Sequence, residues 1–434
     1  MPTDPSLTNA GDTAWMFVAS AMVLLMTPGL AFFYGGMVRS KNALNTMMMS
    51  FAALGVVGTV WAIAAYSLAL APGGAWIGGV DHLFLRAVDL GARGSIPHLL
   101  FMAYQGTFAI ITAALISGAV VERMRFLPYL GFIGAWTLLV YAPVCHWVWG
   151  GGWLGRLGAL DFAGGTVVHV NAGAAAVVAA LVLGTRKDYG KQALLPHNVP
   201  FVLLGVALLW FGWMGFNGGS ALAANGTAAL ALVNSMLAPG ATLVVWMLLD
   251  HLRTGRPTAV GGATGIVVGL VAITPAAGFV GPMSALVLGA VAALPSYFCI
   301  VWRSRTRLDD SLDVAAAHGV GGIVGALLTG VLARAAWGGA DGLLAGNPRQ
   351  LGVQALGVLV TLAYSAAVSF GLLKLVGLLG PLRADSRAEG LGLDIGEHGE
   401  EAYTEGEGAI LILPPSPPRP LAGTALPQAA RGEA

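Results

Sequence analysis

Eleven apolar windows follow one another along the chain, near 13–36, 46–70, 98–120, 127–148, 164–184, 199–218, 226–249, 259–280, 283–303, 314–336 and 351–378. Each is long enough to cross the roughly 30 Å of hydrocarbon in a bilayer. A chain patterned this way has few folds open to it, because in lipid every backbone N–H and C=O must be satisfied within its own segment or a closed barrel. The expected class is an all-α polytopic membrane protein with eleven transmembrane helices. The composition, 56% hydrophobic and only 10% charged over 434 residues, leaves too few charged groups to solvate a globular domain of that length. A formal charge of +1 without a basic block argues against a nucleic-acid partner, and 63 glycines suit helices packed closely in lipid.

Threading the windows alternately through a bilayer sorts the basic residues. Twelve fall on one side, Arg39, Lys41, Arg123, Arg186 and Arg303 among them, and five on the other: Arg86, Arg93, Arg156, Arg334 and Arg349. The crowded side is expected to be cytoplasmic, which puts the N-terminus outside and the C-terminus inside. No Lys or Arg precedes Arg39, so the first window lacks the basic flank of a secretory signal and is expected to be retained. The odd number parses as five plus five plus one. Within a transmembrane domain at 1–380, repeat one covers about 13–184, repeat two about 199–336, and helix eleven about 351–378. Five-helix halves necessarily insert with opposite orientation, and inverted repeats place a substrate path at their interface. Residues 381–408, charged and Gly-rich, are expected to form a cytoplasmic tail, and 409–434, containing prolines, a disordered extension.

Two histidines lie deep within this apolar sequence. His169 follows Asp161 by eight residues and His318 follows Asp310 by eight, with 149 residues between the two pairs. A single histidine in an apolar helix reads as a hydrogen-bonded core residue. Two at matched spacing read as function, since ionisable groups at membrane depth mark the path of an ion or polar solute. A zinc centre does not follow from two histidines without a third converging ligand, and no metal, cofactor or enzymatic constellation is expected. Cys145 and Cys299 fall in separate windows and read as packing. The glycines of Gly319-Val320-Gly321-Gly322-Ile323-Val324-Gly325 follow no strand, so they read as a helix-packing surface and not a dinucleotide loop. His146 reads as interfacial. Asp309, Asp310 and Asp313 read as helix caps paired locally with Arg303, Arg305 and Arg307.

Several runs carry a resemblance over positions 12–405. These are Pro28-Gly29 with Phe32-Phe33-Tyr34-Gly35-Gly36, Gln105-Gly106-Thr107-Phe108, the stretch from Asp161 to Asn171, Gly212-Trp213-Met214-Gly215-Phe216-Asn217-Gly218-Gly219-Ser220, and His318-Gly319-Val320. In order and spacing they resemble the ammonium transporter family (Amt/Mep/Rh), its bacterial Amt branch above all. The resemblance implies an eleven-helix protomer, a homotrimer with one pore per subunit in the cell's inner or plasma membrane, and ammonium or ammonia as substrate.

It also implies roles for residues. Trp149, Phe108 and Ser220 match an external site that recruits ammonium, where an aromatic face attracts a cation and a hydroxyl accepts a hydrogen bond. Phe108 and Phe216 match the stacked rings that close the pore, which a bare cation would pass only at high cost. His169 and His318 match twin histidines lining the lumen, able to share a proton. Asp161 matches a carboxylate that shapes the recruitment site, and helix capping fits it equally well. Tyr104 stands where a second phenylalanine is common and is expected to add a hydroxyl at the vestibule; Met214 occupies a variable, often aromatic position. In the tail, Gly392, Asp394, His398, Gly399 and Glu400 match a C-terminal signature, which implies a folded regulatory element and a PII-type signal protein as partner. Two other readings stay open: an Rh-like electroneutral channel for ammonia or carbon dioxide, and an ammonium sensor that transports little.

Overall fold

The computed structural model describes residues 7–403, so the Pro-containing extension at 409–434 lies outside the described residues. Each of the eleven windows coincides with a helix. Ten are long and apolar enough to span a membrane: α1 Ala10–Met37, α2 Ser40–Leu70, α3 His98–Ser117, α4 Phe126–Leu157, α5 Gly165–Leu183, α6 Val199–Gly219, α7 Gly226–Thr254, α9 Pro282–Arg303, α10 Ala315–Leu332 and α11 Pro348–Leu379. The other, α8 Ala259–Ile273, has 15 residues, or about 22 Å at the α-helical rise. The window at 259–280 overstates it because Pro275 has no backbone N–H with which to continue the helical ladder. Turns carry the chain on to Val280. The architecture is that of a mostly helical, multi-pass membrane protein.

Local sequence accounts for how the helices begin. Asn9, Asn198, Asn225 and Thr258 stand just ahead of α1, α6, α7 and α8, and each side chain accepts a hydrogen bond from an N–H of the first turn. Inside the bundle, α3 and α5 are the central elements, their most apolar stretches being 78% buried against 28% for α2. Small residues set the crossings. A side chain at Gly205 would strike the backbone of Phe33, which is how α1 and α6 come together, and one at Gly173 would strike the backbone of Gly319, where α5 crosses α10. Gly322 and Gly325 likewise face Gly165 and Ala272, so the glycine string after His318 is a packing surface.

α5 and α10 share an unusual start. Each opens with a six-residue π-helical turn, Gly165–Val170 and Ala315–Val320, and each turn contains the histidine. A π turn inserts an extra residue into the helix and turns a side chain that regular α-geometry would aim elsewhere.

The end of the bundle opposite Trp149 is held by buried charge. Glu122 accepts from Arg39 Nε at 3.0 Å and Arg186 Nη1 at 2.7 Å, and Arg186 also meets both oxygens of Asp309, at 3.0 and 2.8 Å. Arg123 donates to Ser311 Oγ and the Asp309 carbonyl, both at 2.6 Å. Burial alone would push the Glu122 carboxyl up, but Arg186 and Arg39 hold it below its ordinary range. The expectation that Asp309 pairs with its neighbours in sequence is corrected here: its partners come from the loops after α3 and α5, and only Asp313 pairs locally, with Arg303 at 2.6 Å.

The tail docks against this end of its own chain. The Asp394 carboxylate accepts from the N–H groups of Leu44 and Asn45 at 3.0 and 2.7 Å, and Glu397 accepts from the Phe126 N–H at 3.0 Å. His398 Nε2 lies 3.0 Å from Asn45 Oδ1, and Tyr403 Oη 2.8 Å from His197 Nε2. Gly392 has φ +114°, and a side chain there would collide with Lys41; Gly399, at φ +69°, ends the last turn. Glu400 is exposed.

Candidate functional site

From Trp149 inward, the predicted residues form one column. α4 is interrupted at Trp149, which caps its Ala142–Val148 portion. The indole Nε1 donates to the carbonyl of Asp161 at 2.8 Å, fixing the ring plane. The ring stands 6.0 Å from Phe108, nearly perpendicular to it at 88°. Beneath it Phe108 and Phe216 stack with centroids 4.1 Å apart, inclined by 25°, and both are buried. Phe216 in turn stacks over His169 at 6.2 Å.

Ser220 lies at the end of α6, one turn beyond Phe216. Its hydroxyl donates to the Phe216 carbonyl at 2.8 Å, which leaves oxygen lone pairs free to accept. Tyr104, expected to bring a hydroxyl to the vestibule, is instead fully buried. Its Oη lies 2.9 Å from the Phe216 carbonyl and 3.2 Å from Ser220 Oγ, so it fastens α3 to the turn that carries Phe216 and Ser220. His146 is likewise buried, its ring nitrogens each 3.0 Å from a carbonyl, those of Ala69 and Gly74.

Asp161 is a cap. Its Oδ1 accepts from the N–H groups of Gly164 and Gly165 at 2.8 and 2.6 Å, and its Oδ2 from Thr166 and Val167 at 2.8 and 3.0 Å. Gly164, at φ +116°, lets the chain wrap the carboxylate, and a side chain there would meet Val168 and the Trp149 indole. Burial raises the Asp161 pKa while the four N–H groups oppose the rise. Thus Asp161 touches Trp149 through its backbone and keeps its carboxylate for α5.

Below the stacked phenylalanines the two histidines meet, His318 Nδ1 lying 3.2 Å from His169 Nδ1. Two facing ring nitrogens can be satisfied only if one carries the proton and the other accepts it. Each Nε2 is then free of that contact, and His169 Nε2 is buried without a hydrogen-bond partner in the protein. A cavity of about 10 Å³ adjoins both rings, its other walls being Met26, Leu30, Phe33, Ile111, Leu115, Val168, Leu209, Trp213, Phe216 and Val267. That is room for one water-sized molecule, in a wall with no ionisable side chain except the histidines.

Trp213, to which the sequence assigns no role, belongs to the same site: its indole stacks on His169 at 5.5 Å and 23° while its Nε1 donates to Thr274 Oγ1 at 2.9 Å. Its place beside Phe216, three residues on, was the available signal, since both then share a helix face.

The chain matches the model of the Ammonium Transporter Family over residues 14–403. It is similar to a protein of Bacillus subtilis named ammonium transporter, with 46% identity over 91% of this chain and 99% of the relative. Its fold is similar to the crystal structure of Saccharomyces cerevisiae Mep2, at TM-score 0.83 and 38% identity over 88% of each chain. It is also similar to a solved structure described as a sensor Amt protein, at TM-score 0.84 and 30% identity over 89% of this chain and 98% of that one.

Proposed function

The chain belongs to the ammonium transporter family, and from that premise we propose that it carries ammonium across the membrane by recruiting the ion at an outer aromatic site, stripping its proton, and passing ammonia through the histidine-lined lumen. The observation that carries this reading is the buried Nδ1-to-Nδ1 contact of His169 and His318 in an otherwise apolar cavity, beneath the closed Phe108–Phe216 stack.

The chemistry follows from the groups present. Outside, the Trp149 face offers a cation–π surface and Ser220 a hydrogen-bond acceptor, so ammonium can lose part of its hydration there. Potassium could be attracted too, but it has no proton to lose, and its desolvated charge would meet the apolar stack. Ammonia can cross as a neutral molecule, hydrogen-bonding to the free imidazole nitrogens. The proton travels separately, with the histidine pair as its relay.

Supporting arrangements are part of the same proposal. The N-terminus lies outside and the tail inside, repeats at about 13–184 and 199–336 are inverted, and three copies assemble in the inner or plasma membrane with one pore each. The tail, anchored through Asp394 and Glu397 to α2 and α4, stabilises the conducting state, and a PII-type signal protein docks on this face to block it.

A purified sample in liposomes should acidify or alkalise its lumen on an ammonium gradient far faster than protein-free liposomes. Equal rates would overturn the proposal. The likeness to a sensor Amt protein motivates a second reading, binding with little transport, which would show as ammonium binding without flux. Currents on a solid-supported membrane separate the electrogenic route from an Rh-like electroneutral one.

A further inference from the structure

Asp310 occupies in its segment the place that Asp161 occupies in the other, eight residues ahead of a pore histidine, yet it is used differently. Asp161 spends both oxygens on four N–H groups. Asp310 is more fully enclosed, with no exposed surface, but accepts one hydrogen bond, from the Ala315 N–H to Oδ2 at 2.7 Å; Oδ1 has no hydrogen-bond partner in the protein. The reason lies in the next residues. Position +3 is left-handed in both segments, Gly164 at φ +116° and Asp313 at φ +59°. Two glycines at +3 and +4 let the first chain close around its carboxylate. In the second, Asp313 and Val314 carry side chains, and Asp313 turns to Arg303.

Asp310 lines neither of the two nearest cavities, but residues next to it reach both. On one side, Tyr34 faces Asp310 and its hydroxyl donates to the carbonyl of Leu115 at 3.2 Å, a residue whose side chain walls the histidine cavity. On the other, the flanking Ser311, Leu312 and Asp313 line a cavity of about 270 Å³ at the tail end.

Tyr34 faces the carboxyl from α1, Arg123 from the loop after α3, Cys299 and Arg303 from α9, and Asp313 from its own loop. The cations are already engaged: Arg303 with Asp313, and Arg123 with Ser311 and the carbonyls of Asp309 and Ala119. Among the described residues, no ion pair neutralises Asp310. Burial, then the Asp313 charge, push its carboxyl up to about 7, while the N–H groups of Ala315 and Val314 and the charge of Arg303 restrain the rise. An acid poised near the working pH is what proton exchange requires.

We propose that Asp310 is the inner proton-exchange site of the pore, the acid that returns a proton to ammonia as it leaves the apolar lumen. This rests on the transport reading above. In the step, the carboxyl O–H bond breaks as a fourth N–H bond forms on ammonia, giving ammonium and a carboxylate. A proton from water in the inner solution then restores the acid.

Asp310→Asn is the decisive variant, because the amide oxygen can still accept the Ala315 N–H while the exchangeable proton is gone. Parent, Asp310→Asn and Asp310→Glu, each as the full chain in liposomes, are compared in ammonium flux as the inner pH is stepped through neutrality. The parent should respond to inner pH. The Asn variant should lose that response and at least about tenfold in flux, and the Glu variant should recover the response. Infrared titration should show a protonated carboxyl band near neutral pH in the parent, absent from Asp310→Asn and displaced in Asp310→Glu; should the Asn variant not assemble, the displaced Glu band decides. An Asn variant with the parent's flux and pH profile, or a Glu band that does not move, overturns the inference while leaving transport intact. A parent that passes no ammonium overturns the transport reading and this role with it.

Discussion

The segments Asp161–His169 and Asp310–His318 share a spacing, a π-helical turn and a histidine that reaches the same cavity. They part at the carboxylate: one is consumed by four N–H groups, the other keeps an oxygen free. Equal spacing therefore delivers two side chains to one place without giving them one job. What separates the jobs is local and small, two glycines in the first segment against an aspartate and a valine in the second.

The largest effect that tests this contrast is in folding. Asp161→Ala leaves four buried N–H groups without their acceptor, although the backbone carbonyl that anchors Trp149 remains. It should cost about 4–5 kcal/mol, enough to deplete assembled protein. Asp310→Asn should cost less than about 1 kcal/mol, since its single accepted bond survives. Melting of the two purified variants would reverse the assignment if Asp310→Asn proved the more damaging.

Next comes the tail. Truncation after Leu378 removes the caps that Asp394 and Glu397 place on α2 and α4 and should lower transport several-fold and abolish PII control, whereas removal of 414–434 should leave both unchanged. Full activity of the Leu378 truncation, together with no PII protein in pull-downs from nitrogen-replete membranes, would break that part of the account. At the Trp149 end of the column, Trp149→Leu replaces the cation–π face, at about 1–2 kcal/mol for a partly desolvated site. The concentration for half-maximal flux should rise about tenfold without loss of assembly; an unchanged value would remove Trp149 from recruitment.

The pH dependence of stability tests the contrast with opposite signs at two carboxyls. Glu122 is held below its ordinary 4.5, so the folded chain binds that proton less tightly than the unfolded chain. Its contribution is complete above 4.5 and is lost as pH falls through the lowered value. Asp310, raised from 3.8 to about 7, contributes most below 3.8 and loses that contribution as pH rises through about 7. Melting temperatures across this range should therefore flatten on the acid side in Glu122→Gln and toward neutrality in Asp310→Asn. The same slope in parent and variants would contradict both assignments.

Much of this was legible in the chain. The helices were, because hydropathy and backbone satisfaction leave lipid-embedded segments little choice, and α8 departed from its window only where Pro275 stops it. The histidines and their aspartates were legible from spacing, and the column from Trp149 to His318 from its resemblance to a family. The π turns were not, since nothing in Gly165–Val170 or Ala315–Val320 names an inserted residue. Nor were the pairs Arg186–Glu122 and Arg186–Asp309, 64 and 123 positions apart, which only the packing of loops brings together. Tyr104 shows the same limit: its hydroxyl was visible in the sequence, but its partners on α6 were not.

The central claim is that the paired histidines make ammonia, and not a cation, the species that travels. The direct test is the current evoked by ammonium and by potassium, at equal concentration, in liposomes bearing the parent protein, His169→Ala or His318→Ala. The account predicts current for ammonium alone in the parent, and in each assembled variant either a fall of about tenfold or a new potassium current. Undiminished ammonium current with potassium still excluded in both variants would contradict it.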